Sequence, residues 1–331
     1  MGAPGSGSAG PADDAAVEAA AAVLGHRARR GVPIGALTTY RVGGAAALFL
    51  EASGLDDLVL AGEALARSGL PVLVLGRGSN LLVADRGFRG LVIALRPEGF
   101  GAIEPLAGHM VRAGGAVQLP VLARRTASLA LTGLEWAVGV PGSVGGAVRM
   151  NAGGHGADTS QSLARCSWVD LRDGSVHDVA AADLAFSYRR SAVGPHHVVT
   201  AAEFGLAPGD RGTSEASIRD IVRWRREHQP GGQNAGSVFT NPPGEPPRNS
   251  AGWVIDAAGL KGRRRGSAMV SDKHANFIQA DAGGSAADVH ALILEVQRLV
   301  ASRMGIELQP ELTMVGFPVP STSAGGRESC R

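Results

Sequence analysis

Two glycine-rich segments carry the residue pattern best suited to ligand chemistry. The longer one, Leu134–Asn151, reads LEWAVGVPGSVGGAVRMN, and the shorter one, Val72–Leu82, reads VLVLGRGSNLL. Because glycine lacks a Cβ atom, such a backbone can adopt positive φ and lie directly against a ligand. Successive free N–H groups then form a concavity suited to an anion, above all a pyrophosphate. We expect one large phosphorylated ligand held from two sides; the alternative is a pair of tight turns in an α/β protein.

Three polar sites could add chemistry to these two cradles. Ser187–Arg190 places two arginines at the end of a strand-like run, although a solvated edge would look the same. Asn234–Asn241 (NAGSVFTN) displays a hydroxyl and two amides on a glycine-bent loop, although a polar turn explains it equally well. Glu311 follows a proline at the start of a late strand, where a glutamate is usually a surface residue. Zinc-type histidine spacing is absent, so no metal site is expected.

Composition limits the classes of protein that this chain can be. Its 331 residues suggest two or three domains, and 44% hydrophobic with 19% charged residues is ordinary for a soluble protein. A net charge of +2 does not indicate a nucleic-acid or membrane surface. Two cysteines give no disulfide framework. The sequence contains no run of ~18 apolar residues, so no transmembrane helix is expected. We therefore expect a cytoplasmic protein.

The predicted elements place the shorter cradle in a βαβ-type unit and the longer cradle in a second unit that begins near Pro97. The folded body is expected to start near Thr38, and the glycine of Arg172–Gly174 predicts a hairpin. Phe186–Arg190 resembles a strand. A change of composition at Pro208–Gly212 indicates a domain boundary. Beyond it, the predicted elements include a basic helix over Ser217–His228, a helix over Ser285–Met304 and a strand over Ile306–Val315.

Seven ordered motifs give the chain a resemblance to a known family. GRGSNLL, VPGSVGGAVRMNAG, YRRS, AGSVFTNP, AGWVIDAAGLKG, SDKHANF and LQPEL follow one another as in the UDP-N-acetylenolpyruvoylglucosamine reductases, from about Thr38 to Gly316. The resemblance implies an α+β fold with a two-subdomain FAD-binding unit of the vanillyl-alcohol-oxidase type and an α+β substrate-binding domain. The domains would be residues 31–96, 97–207 and 208–317, with a disordered or helical extension (1–30) and a disordered tail (318–331). The last strand would return to the FAD-binding unit.

The resemblance also implies which residues hold FAD and the substrate. The cradles would wrap the FAD pyrophosphate and ribityl chain, and Asn151 and Ala152 would lie near the isoalloxazine. Neither cradle offers a His or Cys for covalent attachment, so the FAD is expected to be non-covalent. Tyr188, Asn241 and Lys261 would bind substrate. The implied cofactor-binding residues are Gly76, Arg77, Gly78, Ser79, Asn80, Leu81, Val140, Pro141, Gly142, Ser143, Gly145, Gly146, Asn151 and Ala152.

The implied reaction passes hydride from NADPH through FAD to the vinyl carbon of UDP-N-acetylglucosamine enolpyruvate. Arg189 matches the active-site arginine of the family, and a bidentate guanidinium suits a carboxylate that becomes more negative. Glu311 matches the catalytic glutamate, which would polarise or orient the enolic intermediate. Ser237 matches the residue that protonates the carbanionic carbon. NADPH and the UDP-sugar are the expected partners of a monomer, with no nucleic acid or membrane partner.

Two departures from the family pattern and two alternatives remain. Thr240 stands where many members have lysine, which puts a phosphate or NADPH contact there in doubt. With only two tyrosines and a short loop after Arg190, the chain resembles the subclass without the tyrosine-bearing lid insertion. One alternative is an FAD-linked oxidase or dehydrogenase of the same fold. The other is a nucleic-acid-binding module that uses the basic segments Arg219–Arg226 and Arg263–Arg265, the second of which could instead meet the UDP phosphates.

Overall fold

The computed structural model describes residues 14–318. Within this range the chain forms eight α-helices, numbered in chain order: α1 (Asp14–Leu24), α2 (Leu55–Ser68), α3 (Pro97–Phe100), α4 (Leu119–Ser128), α5 (Val144–Met150), α6 (Arg211–His228), α7 (Ala251–Ala257) and α8 (Ala286–Met304). The disorder expected for residues 1–12 and for the tail beyond Pro318 lies outside the described residues.

The same residues form eighteen strands, most of them short. In chain order they are β1 (Ala28–Val32), β2 (Ala46–Ala52), β3 (Val72–Leu75), β4 (Leu81–Val83), β5 (Phe88–Leu95), β6 (Ile103–Pro105), β7 (Met110–Gly114), β8 (Leu131–Thr132), β9 (Gly153–Gly154), β10 (Ala157–Asp158), β11 (Leu163–Asp170), β12 (Val176–Ala180), β13 (His197–Gly205), β14 (Ala207–Pro208), β15 (Arg264–Arg265), β16 (Ala268–Val270), β17 (Ile278–Ala280) and β18 (Thr313–Val315). Among the described helices, none has the length and apolar character needed to cross a bilayer.

The first sheet has the order β1-β2-β5-β3 and carries the shorter cradle at the end of β3. Helix α2 covers it with a buried stripe that includes Leu58, Ala61 and Leu65, and Gly69 ends the helix at φ 66°. The expectation that the folded body starts near Thr38 is wrong, because β1 pairs with β2 and α1 packs against α2. Strand β1 is an edge strand with exposed arginines, which hides it from a search for apolar alternation.

The second sheet is antiparallel in the order β12-β11-β13-β7-β6, and the predicted hairpin at Arg172–Gly174 joins β11 to β12. Helix α5 of the longer cradle packs against β13. Helix α6 begins at its N-cap Asp210, earlier than predicted, and packs against α4 and the 3-10 turn Glu135–Gly139 of the longer cradle. The proposed domain boundaries stay predictions.

The third sheet, β15-β16-β17, packs with α7 and α8 into a separate hydrophobic core that also takes in Tyr40 and Leu82. Helix α8 begins as predicted, with Ser285 as its N-cap. Asp85, which follows β4, also accepts hydrogen bonds from the Ser285 hydroxyl (2.8 Å) and from the backbone N–H groups of Ala286 and Ala287 (both 2.9 Å). This carboxylate therefore ties the first part of the chain to the start of α8.

The last strand returns to the N-terminal half of the chain, as expected. Strand β18 pairs in parallel with β4, and Thr313 lies opposite Leu81. The predicted strand over Ile306–Val315 is wrong for most of its length, because only Thr313–Val315 is a strand. Pro310 has no N–H to donate to a ladder, and it makes only an isolated bridge with Phe239.

Candidate active site

The two glycine-rich segments line one cavity of about 240 Å³, as the hypothesis of a ligand held from two sides requires. Gly76 and Arg77 reach it from the shorter cradle, and Ser143, Gly145 and Gly146 reach it from the longer one. The cradles approach each other closely, since a Cβ built on Gly76 would lie 2.6 Å from the Ser143 hydroxyl oxygen. A side chain at position 76 would therefore require the Ser143 hydroxyl to move.

The backbone of the cradles differs from the expectation of positive φ. Gly78 does take φ 60°, with its Cα facing Thr38, but Gly76, Gly142, Gly145 and Gly146 have no positive φ. The longer cradle forms a 3-10 turn and then the helix α5, whose N-cap is Ser143. Helical φ angles are negative, so the glycines at the start of α5 are not needed for the turn.

Hydrogen bonding also differs from the expectation of successive free N–H groups. Val144 donates to the carbonyl of Val117 (2.8 Å), Gly145 donates to that of Gly115 (3.0 Å), and Gly146 donates to the hydroxyl of Ser143 (3.4 Å). These three amides already have partners inside the protein. At this part of the cradle, a ligand can occupy the space left by the missing side chains, but it cannot use these amides as free hydrogen-bond donors.

The glycines leave room that the protein itself does not fill. A Cβ on Gly142 would meet no atom closer than 3.6 Å, and one on Gly146 would meet none closer than 3.5 Å. Neither glycine is required by φ or by packing, so their small size keeps space open beside the cavity. This space and the close approach of the two cradles fit the expected FAD.

Arg189 lies on a tight turn that is fastened to the end of α5. The predicted strand at Phe186–Arg190 is wrong: Ala185 and Arg189 have φ of 45° and 56°, which breaks an extended run, and Ser187 pairs with Arg190. Asn151 donates from Nδ2 to the Ser187 carbonyl (3.1 Å). The Ser191 hydroxyl donates to the carbonyl of Arg149 (2.8 Å). The longer cradle thus positions the arginine turn.

Arg189 and Glu311 form a largely buried ion pair, with Nε 2.8 Å from Oε1. The Nε–H is not aligned for a hydrogen bond with that oxygen, so the contact is mainly one of charge. Burial raises the pKa of Glu311, and the positive charge of Arg189 only partly opposes this effect. Tyr188 is exposed, and its ring lies under the guanidinium of Arg189 at 5.2 Å.

Ser237 lies one residue from a backbone contact with Glu311. The Glu311 N–H donates to the Val238 carbonyl (2.8 Å), while Asn80 of the shorter cradle donates from Nδ2 to the Glu311 carbonyl (3.2 Å). Ser237 itself is half-buried. Direct contacts, or contacts through one neighbouring residue, therefore join four residues that are far apart in the sequence: Asn80, Arg189, Ser237 and Glu311.

Asn276 is a residue of this site to which sequence reasoning gave no role. It is 4% exposed, and its Oδ1 accepts from the Phe239 N–H (2.9 Å) while its Nδ2 donates to the Phe239 carbonyl (2.8 Å). Its own carbonyl accepts from the Val238 N–H (2.8 Å). These bonds hold the backbone that follows Ser237. The only sequence signal was its place in the motif SDKHANF.

The remaining candidates lie in local contacts of the C-terminal part. Asn241 accepts from the Ala251 N–H at the start of α7 (3.1 Å), and Lys261 pairs with Asp256 (2.6 Å). Thr240, at the position of the family lysine, donates to the Gln309 carbonyl (3.3 Å). The three arginines Arg263–Arg265 all pair with carboxylates, those of Glu295 and Asp281. Across residues 14–318, no group of three or more His, Cys, Asp or Glu side chains could hold a metal ion.

Comparisons with known proteins show which family the chain resembles. Residues 45–180 match the family described as "FAD binding domain", and residues 228–315 match "UDP-N-acetylenolpyruvoylglucosamine reductase, C-terminal domain". A UDP-N-acetylenolpyruvoylglucosamine reductase of Rubrobacter xylanophilus is 43% identical over 86% of this chain and 94% of its own length. One from Synechococcus sp. strain WH7803 is 41% identical, covering 87% and 93%. The crystal structure of the Thermus caldophilus enzyme has a TM-score of 0.74 at 34% identity, covering 87% of this chain and 99% of that one.

Proposed function

The chain belongs to the UDP-N-acetylenolpyruvoylglucosamine reductase family, and we propose that it uses NADPH to reduce UDP-N-acetylglucosamine enolpyruvate to UDP-N-acetylmuramate. It is an oxidoreductase with an FAD-binding domain and the α+β fold expected from its sequence. The observation that carries the proposal is the buried ion pair of Arg189 and Glu311 beside the Ser237 loop. These residues join the FAD-binding part of the chain to its C-terminal part.

Arg189 binds the carboxylate of the enolpyruvyl group in the proposed reaction. When bound, FAD would supply the hydride for the terminal vinyl carbon, and negative charge would then develop on the adjacent carbon and its carboxylate. Among the described residues the two Nη groups of Arg189 have no hydrogen-bond partner, so the guanidinium has hydrogen-bonding capacity left for that carboxylate. Charge-assisted bonds of this kind strengthen as the acceptor becomes more negative.

Glu311 orients Arg189 and polarises the enolic intermediate. Its carboxylate holds one side of the guanidinium at 2.8 Å. Its raised pKa means that proton uptake costs less here than at an exposed glutamate, so the group can respond to charge that develops nearby. Both carboxyl groups, that of Glu311 and that of the substrate, would then share one arginine.

Ser237 protonates the carbanionic carbon to give the D-lactyl ether. A hydroxyl is a weak acid, but the carbon next to a doubly charged carboxylate is a strong base, so the transfer is feasible. A positioned general acid typically contributes about 10²–10⁴-fold to the rate. The hydrogen bonds that Asn276 and Glu311 make with Val238 and Phe239 fix the backbone on which this hydroxyl sits.

Tyr188, Asn241 and Lys261 complete the proposed substrate-binding set, and the cradle residues from Gly76 to Leu81 and from Val140 to Ala152 hold FAD. No His or Cys lies within Gly76–Leu81 or Val140–Ala152, in accordance with non-covalent binding. Tyr188 is favoured by its place beside Arg189, whereas Lys261 already has a carboxylate partner in Asp256. Any contact of Lys261 with the substrate therefore requires that it exchange or share this partner.

An anaerobic absorption experiment tests the proposed function. The purified protein should be yellow, should lose its absorption when NADPH is added, and should regain it when the enolpyruvyl substrate follows. Return of colour only on admission of oxygen would favour the oxidase alternative. A colourless protein that takes up no added FAD would refute the flavin-based reaction.

A further inference from the structure

Arg149 extends toward the same cavity as the glycines at the start of α5. It follows Gly145 by four residues and Gly146 by three, which places all three on one face of the helix. All three line the cavity together with Arg77. No aspartate or glutamate is among the residues that line it, so the described walls carry positive charge and no negative charge to balance it.

Among the described residues, 14–318, the guanidinium of Arg149 makes neither an ion pair nor a hydrogen bond. The side chain is half-buried, and burial lowers its pKa. Most other arginines near it in sequence are at the surface or paired with carboxylates, as Arg172 is with Asp170. A charge that is desolvated and unpaired destabilises a protein unless a ligand supplies its counter-charge.

The backbone of the longer cradle does not supply positive potential through free amides at Val144, Gly145 and Gly146, because those N–H groups have partners within the protein. These three amides therefore add no hydrogen bond to an anion in this cavity, whereas the lining residues Arg77 and Arg149 carry positive charge. We propose that the Arg149 guanidinium binds the diphosphate of FAD, as a cofactor-binding residue in addition to the cradles. This inference rests on the FAD-binding part of the proposed function and not on the identity of the substrate.

The test compares Arg149→Gln, which removes the charge at similar length, with Arg149→Lys, which keeps it. Arg124→Gln is the matched control, because Arg124 is exposed on α4 and, within the described part of the chain, its side chain bonds only the Pro120 carbonyl. FAD is removed from each protein, the apoprotein is titrated with FAD by calorimetry, and its unfolding is followed in urea. ADP, which carries a diphosphate without the flavin, is then used as a competitor.

We expect Arg149→Gln to bind FAD about 10- to 100-fold more weakly, since a charge-assisted bond to a desolvated phosphate is lost. ADP competition should weaken by a similar factor, and Arg149→Lys should lose less. The apoprotein of Arg149→Gln should be as stable as the wild type or more so, because an unpaired charge has been removed. The control should match the wild type in both measurements.

Two results would overturn the assignment. One is an FAD affinity within about threefold of the wild type in Arg149→Gln. The other is an apoprotein that loses stability together with its affinity, which would mark Arg149 as a structural residue of α5. Failure of the proposed function looks different: the wild-type apoprotein itself would then take up no FAD, whatever stands at position 149.

Discussion

Asn276 offers the sharpest test of how the site is held together. Asn276→Ala removes an acceptor for the Phe239 N–H and a donor to the Phe239 carbonyl, and both groups lie on a residue that is 1% exposed. Each buried polar group left without a partner costs about 1–3 kcal/mol, so the two together should lower the free energy of unfolding by about 2–6 kcal/mol. The bond from the Val238 N–H to the Asn276 carbonyl is unaffected, because it belongs to the backbone.

The isosteric change Asn276→Asp separates hydrogen bonding from packing. An aspartate keeps the acceptor for the Phe239 N–H but turns a second acceptor toward the Phe239 carbonyl. Burial favours its protonated form, which can donate again, so the loss of stability should shrink as pH falls.

Loss of the Ser237 backbone geometry should also slow reoxidation of reduced flavin by the enolpyruvyl substrate more than flavin reduction by NADPH.

Urea unfolding at several pH values measures the first effect, and anaerobic stopped-flow absorbance measures the two half-reactions. Asn249→Ala is a suitable control, since the side chain of Asn249 makes no hydrogen bond among the described residues. A loss of stability below about 1 kcal/mol for Asn276→Ala would refute the hydrogen-bond reasoning. Equal slowing of both half-reactions would refute the positioning of Ser237 by Asn276.

Three further changes test other parts of the site. Ser237→Ala should leave flavin reduction by NADPH intact and stop reoxidation by substrate in stopped-flow assays, while Ser237→Cys keeps part of the activity; equal loss in both half-reactions would contradict the acid role. Because burial raises the pKa of Glu311, the wild type loses stability as pH rises above the ordinary glutamate pKa of about 4, so Glu311→Gln should gain stability relative to the wild type in urea unfolding as pH rises from that value. A difference independent of pH would contradict this. Asp85→Ala should lower the free energy of unfolding by about 1–3 kcal/mol, measured in urea, because α8 loses the partners at its start; no change would show that the contact contributes little.

Local features of the fold could be predicted from the sequence because their signals lie within a few residues. Gly69 ends α2, Ser285 begins α8, and Gly174 closes the hairpin between β11 and β12, each as its residue type favours. The edge strand β1 and the turn at Arg189 were missed, since polar edge strands and left-handed non-glycine residues leave little trace in a sequence.

The candidate site was only partly predictable. Arg189, Ser237 and Glu311 could be selected by their motifs, but nothing in their spacing indicates that Glu311 meets Arg189 or that Asn80 bonds the Glu311 backbone. The partners of the cradle amides were also hidden, because Val117 and Gly115 belong to a different segment. The position of Arg149 in the wall of the cavity likewise became visible only in three dimensions.

The parallel pairing of β18 with β4 has a consequence for synthesis of the chain. Asn80 and Glu311 are separated by 231 positions, so at 5–20 residues per second the ribosome needs about 10–50 s to supply the second after the first. During that time β4, with its buried Leu82, has no β18 to pair with. A nascent chain is therefore open to aggregation or chaperone binding at this edge, and a product truncated before Glu311 would keep the glycine cradles but lack the carboxylate that pairs with Arg189.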